Sequence, residues 1–251
     1  VRQRKRDGIF VVYDLGGGTL DVAVAESISG RVNLLAHGGI AMCGGRDFDR
    51  MLFDNIIKPW LLDHFDLPDD LSANPQFKTL LRVATLAGEK AKITLYQQED
   101  AAISASETEV GVRDQSGEEM YLDVQIDRKT FDALIAPKVN ESIQSVRETL
   151  EKAGLGPHDV ERVVFVGGPT HYKPLRDKVA FELGIAPSID VNPMTAVAEG
   201  AAVFAESIDW SSQSRGRKSA RGAITTGGGL DISFNFISRT PDSKAKIVAK
   251  L

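Results

Sequence analysis

Two acids, three glycines and a threonine fall within eight residues, Asp14-Leu15-Gly16-Gly17-Gly18-Thr19-Leu20-Asp21. Apolar, alternating residues stand on both sides, Ile9-Phe10-Val11-Val12-Tyr13 before and Leu20, Val22 and Val24 after, so the glycines read as the turn between two strands. Such a turn can offer successive backbone N–H groups to an anion, and bare glycines let phosphate oxygens come close to the chain. Asp14, at the end of a buried strand, is suited to hold a metal ion through waters, and Thr19 adds a hydroxyl near a terminal phosphate. The same residues also describe a plain hairpin turn with a solvated acid. Two other phosphate loops are excluded. No lysine follows the glycines as a P-loop requires, and the third glycine of the dinucleotide fingerprint would fall at Asp21.

Two further stretches carry the same ambiguity. Glu89, Lys92 and Tyr96 are spaced by three and four and share one helical stripe, either as ligand contacts or as a solvated Glu–Lys pair beside a tyrosine. Val166-Gly167-Gly168-Pro169-Thr170-His171 opens a buried strand through two glycines into a helix, which would let a flat ligand lie against bare backbone, or simply turn the chain.

The elements that must position these groups follow from periodicity. Residues 8–42 read as β structure, and 47–65 as a helix that Pro59 should kink or interrupt. Asn74 caps and Pro75 opens a second helix with Phe77, Leu80, Leu81, Ala84 and Ala91 on its buried side. Residues 100–126 suggest a hairpin with its turn at Gln115-Ser116-Gly117. Asp127 caps a long helical stretch that Pro137 should divide and Gly154 should stop. A buried strand at 162–166, a helix to about Leu183, a short strand at 188–191, and a small-residue helix from Asn192-Pro193 to about Ala205 complete the series.

Composition bounds the class. With 251 residues, 42% hydrophobic and 26% charged, the chain can bury a sizeable core in one bilobed unit or two domains and is too polar for a membrane span. The formal charge of −5 argues against an unshielded nucleic-acid binder. Cys43 is the single cysteine and no signal peptide is visible, which together fit a reducing, cytoplasmic setting.

Read in order, Tyr13-Asp14-Leu15-Gly16-Gly17-Gly18-Thr19-Leu20-Asp21-Val22, Gly44-Gly45-Arg46-Asp47-Phe48-Asp49, Gly88-Glu89-Lys90-Ala91-Lys92, Val164-Phe165-Val166-Gly167-Gly168-Pro169-Thr170, and Asn192-Pro193 with Ala196-Val197-Ala198-Glu199-Gly200-Ala201-Ala202 form one pattern. It resembles the nucleotide-binding domain of DnaK-type heat-shock chaperones, the seventy-kilodalton heat-shock family, over about residues 8–207. The resemblance implies an α/β, actin-like ATPase (ribonuclease H-like) fold in which ATP lies between two lobes. It implies that Gly16, Gly17, Gly18 and Thr19 face the β- and γ-phosphates, and that Asp14 supports Mg2+ and the attacking water. Asp14 and Thr19 are then the catalytic candidates. Glu89, Lys92 and Tyr96 would face the ribose and adenine, and Gly167, Gly168, Pro169 and His171 the adenosine. ATP or ADP with Mg2+ is the implied cofactor set. Client peptides, a J-domain co-chaperone and a nucleotide-exchange factor are the implied partners, without membrane or nucleic acid.

The chain departs from the pattern. Tyr96 stands where the family has serine facing the base, and His171 where it has an arginine. Arg46 replaces an acid, and Met194-Thr195 an acidic pair, so a divergent member is expected. The family's first phosphate loop, with its Lys and Glu, does not precede residue 8. The expectation is therefore a fragment cut from something longer, holding mainly the second lobe (8–207), with a smaller α+β subdomain at about 50–126. Its helix at 192–207 would return toward the first lobe. A flexible linker is expected at 208–229, where Ser, Arg, Lys, Thr and Gly dominate, and the truncated start of a β domain at 230–251. Residues 214–221 of that linker are basic and would be either solvated or in touch with an anionic partner. Such a fragment should bind nucleotide weakly and hydrolyse little. The competing functions are a phosphotransferase of the sugar-kinase branch, an actin-like polymer subunit, and a non-catalytic nucleotide-binding scaffold.

Overall fold

Period-two alternation produces the central sheet of the computed structural model, which describes residues 7–29, 31–68, 70–188 and 191–207 and three strands within 221–250. Strands β1 (Gly8–Leu15) and β2 (Thr19–Ile28) form the expected hairpin, with Leu15 opposite Leu20 and Asp14 opposite Asp21. Strand β3 (Arg31–Ala41) pairs antiparallel with β2. The order in space is β3-β2-β1-β6, where β6 (Val160–Val166) runs parallel to β1 and sets Asp14 beside Val166. One face of this sheet carries Val11, Tyr13, Leu15, Leu20, Val22 and Val24, all buried.

The helical part begins with α1 (Gly45–Leu52), passes through a π-helical segment (Phe53–Ile57) and continues as α2 (Lys58–His64). Pro59 was expected to kink or interrupt this run. The α-helix is interrupted there: it gives way to the π-helical segment just ahead of the proline, which stands in the first turn of α2. Asn74 caps a 3-10 turn (Pro75–Phe77), its side chain accepting from the Gln76 N–H at 3.0 Å, and α3 (Lys78–Leu95) follows. Strands β4 (Asp100–Ala105) and β5 (Leu122–Asp127) make a two-stranded antiparallel sheet, with α4 (Glu107–Val110) in the connection between them.

Helix α5 (Arg128–Lys152) starts at Asp127, whose carboxylate accepts the Thr130 N–H at 2.7 Å, and contacts β2 and β3. It runs unbroken through Pro137, against the expectation of a division there. Proline inside a helix costs about 3 kcal/mol. Phe131, Ile135, Val139, Ile143, Val146 and Leu150 bury a stripe on both sides of it, and each such side chain contributes about 1.5–3 kcal/mol. Pro137 and Ala133, whose carbonyl it frees, are exposed, so water can serve that carbonyl.

The α5 contact also seals a buried polar pair. The Tyr13 hydroxyl donates to Ser142 Oγ at 2.6 Å, and Ser142 donates to the Val139 carbonyl at 2.6 Å. Burial pushes the Tyr13 phenol well above its usual range, so it stays a donor. Ser142→Ala should cost about 1–3 kcal/mol because Tyr13 keeps a buried, unpaired hydroxyl. Urea unfolding checks this, and adding Tyr13→Phe should return most of the loss.

After β6 come a 3-10 turn (Gly168–His171) and α6 (Lys173–Leu183). Of the strand expected at 188–191, Ser188 donates its N–H to the Val163 carbonyl at 2.8 Å and Pro187 bridges to Val163, while Ile189 and Asp190 lie outside the described residues. Asn192-Pro193 forms a turn, and α7 (Ala196–Ser207) starts just beyond it. The chain divides into two units, Val1–Ala198 and Glu199–Leu251. The second holds most of α7 and an antiparallel sheet of β7 (Arg221–Thr225), β8 (Ser233–Ile237) and β9 (Ile247–Lys250), in that order. Strand β7 thus lies inside the stretch read as linker. Residues 208–220 and 226–232 lie outside the described residues.

Candidate functional site

The glycine turn is held from its carbonyl side. Gly16 N–H donates to the Thr19 carbonyl at 2.9 Å and closes the turn. The first amides of α1 then take the outer carbonyls: Gly45 N–H donates to Gly16 O at 3.0 Å and Arg46 N–H to Gly17 O at 2.8 Å. Gly44 presses against the same turn, since a Cβ there would meet Gly16 O and Gly18 N at 2.6 Å. With the carbonyls engaged, the Gly17 and Gly18 amides donate to nothing among the described residues. That is the arrangement an oxyanion needs.

Asp14 and Asp21 face each other across β1 and β2. Burial, reinforced by the Asp21 charge, raises the Asp14 carboxyl above its usual range. Thr19 is committed within the chain, its hydroxyl donating to Asp21 Oδ2 at 3.1 Å. Gly167 closes the end of β6 against the end of β1. Its φ of +92° favours glycine, and a Cβ would meet Leu15 O at 2.1 Å and Asp14 Oδ1 at 3.2 Å. Gly167 N–H donates to Pro193 O at 3.1 Å, and its carbonyl accepts from the Thr170 hydroxyl at 2.7 Å.

Helix α3 supplies the remaining wall. Lys92 does not pair with Glu89, as its spacing suggested. Its ammonium is buried, 2.7 Å from Asp49 Oδ1, and donates to the Gly45 carbonyl at 3.1 Å. Burial lifts the Asp49 carboxyl above its usual range, and Lys92 pulls it partly back. The Tyr96 ring stacks on Tyr172 at 5.3 Å, which itself meets Phe131 edge-on at 5.4 Å. Burial raises the Tyr96 phenol, with added repulsion from Asp49 and Glu89.

These walls enclose a cavity of about 570 Å³, within the usual range of small-molecule sites, about 300–1,000 Å³. Of the residues anticipated from sequence, Gly17, Glu89, Lys92, Tyr96, Gly168, Pro169 and His171 line it. Asp14, Gly16, Gly18, Thr19 and Gly167 are not in its lining and join it through Gly17 and Gly168. Gly45, Asp49 and Met194 line it without having been singled out as ligand contacts.

The residues fit a magnesium nucleotide. Magnesium keeps several waters and is held by one or two carboxylates plus substrate phosphates. Asp14 and Asp21 stand opposite each other on the two strands that the glycine turn joins, and no group of three or more His, Cys, Asp or Glu among the described residues is placed to hold a metal.

Geometry therefore defines a mixed α/β domain with a glycine-edged cavity of nucleoside size. The family model described as Hsp70 protein matches residues 1–214, and the chain belongs to the Hsp70 family. That family's nucleotide-binding domain has the actin-like ATPase fold, in agreement with the mixed α/β architecture. The chaperone protein HscA of Pectobacterium carotovorum subsp. carotovorum (strain PC1) is 35% identical over 201 residues, covering 80% of this chain and 29% of that protein. HscA homologues of Burkholderia mallei (strain SAVP1) and Shewanella putrefaciens (strain CN-32 / ATCC BAA-453) are each 33% identical, over 203 and 202 residues, with the same coverage. The chain spans 29% of the length of these curated relatives. No helix among the described residues is long and apolar enough to cross a membrane.

Proposed function

We propose that this chain is the second-lobe part of an Hsp70-type nucleotide-binding domain and that it binds ATP or ADP with Mg2+. Within it, residues about 50–126 form the smaller subdomain, and the helix at 192–207 belongs against the first lobe. In the whole protein, on this reading, ATP hydrolysis controls the capture and release of client peptides in the cytoplasm, with a J-domain co-chaperone and a nucleotide-exchange factor as partners. Family membership and relatives that carry the name chaperone support it. The observation that carries it is the free Gly17 and Gly18 amides at the edge of a nucleoside-sized cavity.

On this reading the Gly17 and Gly18 amides hold phosphate oxygens. Asp14 is the residue that would hold magnesium, and the metal when bound would supply charge neutralisation at the terminal phosphate. Asp14 also orients the attacking water, while Thr19 fixes the Asp21 carboxylate by its hydroxyl bond. No covalent intermediate is needed, because phosphoryl transfer is catalysed mainly by positioning and electrostatic stabilisation. Glu89 and Tyr96 face the ribose and base with Pro169 and His171. Lys92 acts mainly through Gly45 and Asp49, which it fixes.

Calorimetric titration of Mg-ATP and Mg-ADP into the chain should give a dissociation constant of about 1 mM or tighter, about −4 kcal/mol. Chelating the magnesium should weaken ATP more than adenosine. A folded chain that shows no heat with either nucleotide at several millimolar overturns the reading, and ATP turnover at the rate of an intact chaperone overturns its one-lobe form.

A further inference from the structure

The backbone N–H of Arg46 anchors the glycine turn, but its side chain, which lies directly on that turn, is unused by any role described so far. Its Nε donates to the Gly17 carbonyl at 3.3 Å, and a Cβ on Gly18 would meet its Nη2 at 2.6 Å. The residue is exposed and lines the cavity next to Gly17. Arg46 and Lys92 are the permanent cations of that lining, and their situations differ. Lys92 is buried and neutralised by Asp49. Arg46 forms no ion pair among the described residues.

We propose that Arg46 is a phosphate-binding residue that makes this site select polyphosphates, reading the terminal phosphates of a nucleoside di- or triphosphate at the glycine turn. The inference rests on the nucleotide reading of the cavity and adds to it the group that distinguishes ATP from AMP. The cavity's own charges cancel, with Asp49 and Glu89 set against Lys92 and Arg46, and Asp14 and Asp21 add negative charge beside the turn. A polyphosphate arriving there meets carboxylates unless a cation stands with it. A guanidinium held by Nε against the turn keeps its terminal nitrogens for phosphate oxygens, a geometry suited to forked recognition. It also supplies charge that magnesium would otherwise bring alone, so part of the ATP affinity should survive removal of the metal.

The test titrates ATP, ADP, AMP, adenosine and inorganic tripolyphosphate into the full chain and into Arg46→Gln, Arg46→Ala and Arg46→Lys, with and without Mg2+. Gln keeps a donor for the Gly17 carbonyl while removing the charge. Thermal unfolding confirms that each variant is folded. Loss of about tenfold or more in ATP and tripolyphosphate affinity for Gln and Ala, unchanged AMP and adenosine binding, and partial recovery with Lys support the proposal. Equal ATP affinity in wild type and Arg46→Gln overturns it, because a merely structural arginine would be replaced by glutamine without loss. If wild type binds tripolyphosphate in an Arg46-dependent way but no adenosine, the arginine assignment stands and the nucleotide reading falls. If wild type binds no polyphosphate at all, both fall.

Discussion

Replacing Lys92 by methionine is expected to lower stability by about 3–5 kcal/mol, the cost of leaving one member of a buried ion pair without its partner. Lys92 is 5% exposed and Asp49 9%, so water cannot replace the missing ammonium. The Asp49 carboxyl is already raised by burial with Lys92 pulling it down, and without Lys92 it rises further. An acid whose folded pKa lies above its unfolded value gives up its proton more readily in the unfolded chain, so the penalty is absent below the unfolded value, grows as pH rises from the unfolded value to the folded one, and is constant beyond it. The deficit of the variant should therefore be largest at neutral pH and shrink as the solution is made acidic. Urea unfolding at several pH values between 5 and 8 measures this. Lys92→Met combined with Asp49→Leu should recover most of the loss, since an apolar pair of similar volume avoids the stranded charge. A loss under about 1 kcal/mol is what a solvated surface pair would give, and it would contradict the burial described here. The same substitution removes the donor to the Gly45 carbonyl, so nucleotide affinity should fall with stability.

The Lys92 pair also shows how far the sequence could be read. Helical spacing made Glu89 the natural partner of Lys92, because residues three apart on one helix are neighbours. Asp49 sits on α1, and only the packing of α1 against α3 brings it to Lys92. No local pattern carries that information. The hairpin around the glycines is the opposite case. Alternation from Ile9 to Leu15 and from Leu20 to Val24, broken by three glycines, is a purely local signal, and the register follows it residue by residue. Helix boundaries were readable where a side chain caps them, as Asn74 and Asp127 do. The proline rule failed at Pro137 because buried contacts along α5 outweigh a local penalty, and it held at Pro59, where a π-helical segment interrupts the α-helix just ahead of the ring. Arg221-Gly222-Ala223-Ile224-Thr225 has the composition of a linker, and its strand character comes from pairing with β8. At the site, Gly17, Glu89, Lys92, Tyr96, Gly168, Pro169 and His171 were singled out from sequence and line the cavity, whereas Gly45, Asp49 and Met194 line it with no local signal that marked them as contacts. Types and spacing did not show that the turn's carbonyls are held by α1 or that Thr19 is committed to Asp21.

The hold of α1 on the turn leads to the second large effect. Gly44→Ala is expected to weaken ATP binding by about tenfold or more, about 1.4 kcal/mol or above, while leaving the rest of the domain folded. The backbone of Gly44 is extended, φ −171° and ψ −172°, so alanine meets no conformational penalty there. The obstacle is space. A Cβ would lie 2.6 Å from Gly16 O, 2.6 Å from Gly18 N and 2.7 Å from Gly17 C. All three are backbone atoms, so no rotamer change relieves the clash, and either the turn or the start of α1 must shift. Either movement strains the bonds from Gly45 N–H to Gly16 O and from Arg46 N–H to Gly17 O. Overpacking of this kind costs about 1–3 kcal/mol in stability, a cost the rest of the core can bear. Gly200→Ala in α7 provides the contrast, since nothing lies within 4 Å of a Cβ there. It should leave nucleotide affinity unchanged and gain about 0.5–1 kcal/mol of helix stability. Calorimetry with ATP and urea unfolding on both variants separate the two costs. If Gly44→Ala binds ATP as wild type does, the carbonyl-side anchoring is not what presents the Gly17 and Gly18 amides. The phosphate reading of the turn would then lose the physical basis that distinguishes it from an ordinary hairpin.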